Sequence, residues 1–483
     1  MTAIVNKLLN KYHDMPIESK AGVWFVLCNI VQKGISTITV PIFTRIMNAE
    51  QYGNYTIYLS WQGLLLIFTS LNLYYGVFNN AMIKFKDDRD RYVSSMQGLT
   101  FSFTLLIFII YLIFKHTCNQ FLGMSTNLVY LLFLQLLMMP ALLFWSARQR
   151  FEFKYKILVR ITLLKAVLNP FLGIIAVMVS ENKDVARIFT IVLVEVAIGG
   201  VISIYQFYKG KCFFDKMYWK YALLFNIPLI PHYLSGTILN QADRIMIGKM
   251  AGISEVAYYS VAYNIGMLML LFTDAINNSF TPWFYIKMKE KDFESIKKTA
   301  NSLVILIAVL IIFLLLFAPE VIYIFASKQY MPAVYVIPPV AVTVFYIFAY
   351  VLFANIEFYY EENKMIMVAS IAAAILNIIL NAIFIPIFGY YAAAYTTLAC
   401  YIVYTLFHYL FSIKAAKKKE NISNIYDYKF IWGCSFILIC IMFGVTFIYK
   451  YFILRYVLIA VLLVSLFIKR EKIISIIKGI RAR

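Results

Sequence analysis

Apolar residues along this chain come in runs of roughly twenty, set apart by short polar segments rich in Lys, Arg, Asn and Tyr. The runs lie near 22–43, 56–78, 97–114, 126–145, 157–179, 185–208, 221–241, 254–276, 301–326, 333–356, 365–387, 390–412, 430–449 and 452–468. An α-helix rises about 1.5 Å per residue, so each run is long enough to cross about 30 Å of hydrocarbon. The pattern predicts an all-α integral membrane protein with about 14 transmembrane helices. Pro228 and Pro231 predict a kinked or broken start to the seventh span. Only the turn from Pro386 to Gly389 divides the eleventh from the twelfth.

Composition excludes a soluble alternative. Apolar residues make up 62% and charged residues 14%, whereas soluble domains run at about half and about a quarter. The formal charge of +20 does not point to nucleic acid, because the basic residues cluster between the apolar runs. Lys84, Lys86, Arg89 and Arg91 form one such cluster, and Arg148, Arg150, Lys154 and Lys156 another. Lys209, Lys211, Lys216 and Lys220, then Lys287 to Lys298, Lys414 to Lys429 and the tail from Lys469, continue the series. They follow even-numbered spans and so fall on one side of the membrane, which places both termini in the cytoplasm. The six cysteines are scattered, the four histidines show no metal spacing, and the two Gly-Lys pairs lack the rest of a phosphate-binding loop. No cofactor is expected, and the short connections leave no room for a catalytic domain, so the chain is not read as an enzyme.

A repeat divides the spans. Arg45-Ile46-Met47 returns as Arg244-Ile245-Met246, and Asn79-Asn80 as Asn277-Asn278, each about 200 residues later and six spans on. The expected organisation is an N-terminal lobe at 1–208, a cytoplasmic linker at 209–220, a C-terminal lobe at 221–412, a basic linker at 413–429, and two further spans with a cytoplasmic tail at 430–483.

Polar side chains inside a bilayer face a cavity or another helix. Span one carries Asn29 and Lys33 on one helical face, with Arg45 at its outer end. Span five carries Lys165 and Asn169 on a shared face, and span seven carries Tyr233, Thr237, Asn240 and Arg244. These nine residues are the candidate substrate-binding set. Glu195, Asp243, Asp274 and Glu357 are the candidate ion-coupling carboxylates, or else charge partners for the bases. Asp243 and Arg244, adjacent in sequence, point about 100° apart and should not pair directly.

Pro41-Ile42-Phe43-Thr44-Arg45, followed by Glu50-Gln51-Tyr52-Gly53-Asn54-Tyr55, resembles the start of the Wzx-type O-antigen and capsule flippases. These belong to the multidrug/oligosaccharidyl-lipid/polysaccharide exporter superfamily. Asp243 to Gly248, Ala257 to Tyr263, Phe280-Thr281-Pro282-Trp283, and Leu376 to Asn381 with Ile385 to Gly389 and Ala392-Ala393-Ala394 extend the resemblance through span twelve. Tyr391 departs from the family, which often has Gly there. The resemblance implies two pseudo-symmetric six-helix lobes forming a V-shaped central cavity, plus two peripheral helices. It also implies an undecaprenyl-pyrophosphate-linked oligosaccharide carried from the cytoplasmic to the periplasmic leaflet of the bacterial inner membrane. Polysaccharide assembly proteins such as the polymerase are implied partners. The main alternative is a cation-coupled small-molecule exporter of the same superfamily.

Overall fold

The computed structural model describes residues 15–422 and 424–468; residues 1–14 and the tail from Lys469 lie outside them. Among the described residues the regular structure is helical throughout. In chain order the helices are α1 (Ile17–Ile46), α2 (Ala49–Ser70), α3 (Gly76–Lys84), α4 (Arg89–Ile113), α5 (Lys115–Leu122) and α6 (Thr126–Phe151). Then come α7 (Tyr155–Val179), α8 (Lys183–Gly210), α9 (Lys216–Asn226), α10 (Ile230–Met250), α11 (Ile253–Gly266) and α12 (Leu270–Glu290). The last are α13 (Phe293–Phe325), α14 (Ile337–Tyr359), α15 (Asn363–Phe388), α16 (Tyr390–Glu420), α17 (Tyr428–Ile448) and α18 (Phe452–Ile468).

Among the described residues, twelve helices or consecutive helical stretches are long and apolar enough to span a membrane. The more polar α2 and the 17-residue α18 occupy the two remaining apolar runs. The expected break at Pro228 is a 3-10 turn, Ile227–Leu229, between α9 and α10. Span two is not the continuous helix that its hydropathy predicts: Leu71 and Asn72 both have positive φ, and a turn separates α2 from α3. Span eight is interrupted at Met267–Met269. In both, the helix after the interruption carries the Asn-Asn marker. Gly389, at φ +65°, separates α15 from α16, a conformation that a residue with a Cβ adopts only under strain.

The chain forms two compact units that meet in sequence at Thr237 and Ile238, within α10. In the first, α4, α6 and α8 pack on one another and on α2, and α7 packs between α1 and α8. A buried cluster of Phe78, Tyr92, Phe144 and Tyr218 ties α3, α4, α6 and α9 together. The turn between α1 and α2 is fixed by a capping box, in which Asn48 Oδ1 accepts from Gln51 N (2.8 Å) and Gln51 Oε1 from Asn48 N (3.0 Å).

In the second unit α14 is the central helix. Its span is 83% buried, against 6% for α1, as suits a helix that is apolar on every side. Helix α16 lies along it, and α15 packs on α16. Helix α18 is fastened to α13 by Arg455, whose guanidinium reaches both carboxylate oxygens of Glu320 and the Leu316 carbonyl.

Candidate functional site

In the first unit the expected cations take different positions. Asn29 and Lys33 are exposed on α1. Arg45 is also exposed, and its Nη1 donates to the Pro41 carbonyl at 2.8 Å, one turn back on its own helix. Lys165 is drawn into an ion pair: its Nζ lies 2.5 Å from Glu195 Oε2, linking α7 to α8. The candidate binding lysine and the candidate coupling acid are therefore partners, with Glu195 buried and Lys165 a quarter exposed.

Asn169 leads to a residue absent from the sequence-based set. Its Oδ1 accepts from Arg187 Nη1 at 2.7 Å. Arg187, on α8, is buried, and its guanidinium lies 4.3 Å from the centre of the Phe43 ring and 5.3 Å from that of Tyr55. Two contacts hold this end of α8 against the α1–α2 turn. Lys183 Nζ donates to the Ile46 carbonyl (2.7 Å), and Asn54 Nδ2 to Asp184 (2.9 Å). Gly173 makes room: a Cβ there would sit 2.4 Å from Arg187 Nη1. The available sequence signal was the charge itself, three residues into an apolar span that also carries Glu195. Tyr233 packs edge-on to Tyr75, and Thr237 Oγ1 donates to the Tyr233 carbonyl at 3.2 Å.

In the second unit Asn240 is exposed, and its carbonyl accepts from Arg244 Nη1 at 2.5 Å. Arg244 is buried over the ring of Tyr263 at 4.6 Å and that of Tyr259 at 5.9 Å. The neighbouring Asp243, 1% exposed, faces a different set of groups. Tyr259 donates to its Oδ2 at 2.5 Å, Thr397 to the same oxygen at 2.8 Å, and Asn381 Nδ2 to its Oδ1 at 2.6 Å. Asn377 and Thr396 complete the network. Asn377 donates to Thr397 Oγ1 (3.3 Å) and accepts from Asn381 (3.2 Å), and the Thr396 hydroxyl donates to Asn381 Oδ1. One carboxylate on α10 thus gathers α11, α15 and α16. Asn377 and Asn381 carried part of the family resemblance, but their spacing of four in an apolar span was also a sign of a shared polar face.

Glu357 on α14 is fully buried against His408 on α16, with Oε1 and Nδ1 2.7 Å apart. Asp274 is exposed on α12. Among the described residues no group of three or more His, Cys, Asp and Glu side chains is arranged to hold a metal ion.

Residues 19–288 match the family model described as polysaccharide biosynthesis protein, and residues 228–383 match the MatE model. A 160-residue segment is 24% identical to an Lsg locus protein of Haemophilus influenzae. That segment is 33% of this chain and spans 40% of the relative's length. Among solved structures, the lipid II flippase MurJ in an inward closed conformation aligns with a TM-score of 0.67 at 15% identity, covering 93% of this chain and all of that one. An inward-facing multidrug resistance MATE family transporter of the MOP superfamily aligns with a TM-score of 0.60 at 15% identity, covering 80% of this chain and 96% of that one. A MOP superfamily transporter from Pyrococcus furiosus gives 0.58 at 15% identity, with 83% and 97% covered. At that identity these likenesses establish a shared fold.

Proposed function

The chain belongs to the polysaccharide biosynthesis protein family, and from that premise we propose that it is a flippase for a lipid-linked oligosaccharide. The proposed cargo is an undecaprenyl-pyrophosphate-linked repeat unit of O-antigen or capsule. It passes from the cytoplasmic to the periplasmic leaflet of a bacterial inner membrane by alternating access of two six-helix lobes. Both termini are cytoplasmic in this reading, and a polysaccharide polymerase is a fitting partner. The family match over residues 19–288 carries the proposal.

The physical support is a set of cations within or bordering apolar helices. A pyrophosphate crossing about 30 Å of hydrocarbon needs positive charge along its path. Lys33 and Arg45 offer exposed charge for it. Arg244, Asn240, Tyr233 and Thr237 extend the polar face along α10. Translocation needs no covalent chemistry, so no catalytic residue is assigned.

A second reading is a cation-coupled small-molecule exporter. It is favoured by the MatE match and by Asp243, whose oxygen-rich surroundings of Asn377, Asn381, Thr396 and Thr397 suit a proton or a monovalent cation.

Deletion of the gene in its host discriminates the two. The flippase reading expects surface polysaccharide to disappear while lipid-linked units accumulate on the cytoplasmic leaflet, with wild type but not Lys33→Ala or Arg244→Ala restoring export. Normal surface polysaccharide in a strain with no second flippase sinks it, and altered drug susceptibility in that strain points to the exporter.

A further inference from the structure

Helix α16 carries a polar stripe that the flippase reading leaves unused. Thr397, Tyr401, Tyr404, His408 and Ser412 follow one another at spacings of four, three, four and four residues, which keeps them on one face. All five are buried. The stripe faces α14 over much of its length. Tyr350 lies 6.5 Å from Tyr401 and 4.7 Å from Tyr404, ring centre to ring centre, and the Thr405 hydroxyl donates to the Tyr346 carbonyl at 3.1 Å. At one end Thr397 bonds Asp243; at the other His408 bonds Glu357. The two ends are 11 residues apart, about 16 Å along the helix.

The Glu357–His408 pair is incompletely satisfied. Both side chains are fully buried, yet Glu357 Oε2 and His408 Nε2 have no hydrogen-bond partner. A buried ion pair with good geometry ordinarily satisfies its remaining polar atoms as well, whereas the two here leave one acceptor and one ring nitrogen open. Aromatic rings enclose the imidazole, with Tyr350 stacked on it at 5.4 Å and Tyr404 edge-on at 4.6 Å. Titratable groups around the pair include Tyr350 of α14 and Tyr404 of α16, with Tyr401 of α16 against both rings and Asp274 of α12 acting on Tyr350.

We propose that Glu357 and His408 form a proton-binding site inside the C-terminal unit, reached from Asp243 along the hydroxyls of Thr397, Tyr401 and Tyr404. The inference rests on the transporter reading above and deepens its ion-coupling carboxylates: the coupling ion is a proton. In the proposed orientation Asp243 lies toward the outer face and Glu357 toward the cytoplasm. A proton taken up on the outer side passes to the Glu357–His408 pair, and one proton leaves to the cytoplasm, so the chain returns to its starting charge.

The test needs no substrate, so its outcome is separable from that of the flippase reading. Purified full-length protein in lipid vesicles is stepped across pH while infrared difference spectra follow the protonated-carboxyl stretch. A pH-dependent carboxyl signal is expected. The component of it due to Glu357 should vanish in Glu357→Gln, shift in His408→Gln and persist in Glu195→Gln. Tyr404→Phe keeps the ring and removes the hydroxyl, so deuterium exchange of that carboxyl should slow by roughly tenfold or more. Should Glu357→Gln not fold, His408→Gln and Tyr404→Phe carry the test. A wild-type spectrum with no carboxyl signal, a signal indifferent to both Glu357→Gln and His408→Gln, or an unchanged exchange rate in Tyr404→Phe overturns the proposal.

Discussion

Glu195 in the first unit and Asp243 in the second are both buried carboxylates on apolar helices, and their surroundings are opposite. Glu195 meets the Lys165 ammonium at 2.5 Å, so the α7–α8 contact carries a local balance of charge. Asp243 takes its three hydrogen bonds from a phenol, a hydroxyl and an amide, while the adjacent Arg244 is turned onto Tyr263 and the Asn240 carbonyl. The first arrangement is closed, with the charge already answered. The second holds a carboxylate by hydrogen bonds from neutral donors alone, with no ammonium or guanidinium bonded to it, which is why Asp243 rather than Glu195 is the proposed coupling carboxylate.

The sharpest way to break this contrast is at Asp243. Asp243→Ala leaves the donors on Tyr259, Asn381 and Thr397 without an acceptor, and each orphaned buried group costs about 1–3 kcal/mol. A loss of about 4–6 kcal/mol in unfolding free energy is expected, with export abolished. Asp243→Asn keeps the volume and one acceptor, so most of the stability should return while export stays lost. Recovery of export in Asp243→Asn, measured as surface polysaccharide in a deletion strain, would show that the carboxylate's charge does nothing in transport.

A smaller effect is expected at the closed pair. Lys165→Met strands Glu195, which already has one unpartnered oxygen. Because Lys165 is a quarter exposed, the penalty should fall at the lower end of the range for broken buried pairs, about 3 kcal/mol. Lys165→Met combined with Glu195→Leu should restore stability to within about 1 kcal/mol of wild type, since an apolar replacement of a buried pair is often neutral. Export in that double variant then decides between the two readings of Lys165. Retained export makes the pair a fastening between α7 and α8, and lost export returns Lys165 to the substrate path.

How much of this was legible in the chain follows from the same contrast. Spans are local, and a run of apolar residues identifies its own helix, so the apolar runs foretold the spanning segments, and Pro228 and Pro231 foretold the break before α10. The break at Leu71–Tyr75 escaped because hydropathy carries no record of φ, and neither Leu71 nor Asn72 is a glycine. Polar partners are not local. Lys165 and Glu195 were both visible, but helical periodicity within each span says nothing of the rotation of one helix against another. Arg187 was passed over for a related reason. Its charge lies near a span end, and only the fold shows Phe43, Tyr55 and Asn169 closing around it. The separation of Asp243 from Arg244 was legible, because 100° per residue is a property of one helix.

The smallest effect expected lies outside the membrane, where Glu152 follows α6. Burial alone would raise its pKa, but hydrogen bonds from Lys154 and Arg148, with their charges, hold it below the ordinary value of 4.5. The distances are 2.5 Å from Lys154 Nζ and 2.9 Å from Arg148 Nε, and Arg148 also reaches Asp90 on α4. A carboxyl whose folded pKa is depressed stabilises the fold above its ordinary pKa, and that contribution is lost as pH falls through the lower, folded value. The unfolding midpoint of the wild-type protein in detergent should therefore drop on acidification through that window. Glu152→Gln should be less stable at neutral pH by no more than about 1 kcal/mol, the ceiling for a solvent-screened pair. It should also lose the part of the acid-dependent drop that Glu152 supplies. An equal acid response in both proteins would mean that Glu152 contributes nothing to the acid dependence, and that the Lys165–Glu195 pair differs from this one by the deeper burial of its carboxylate.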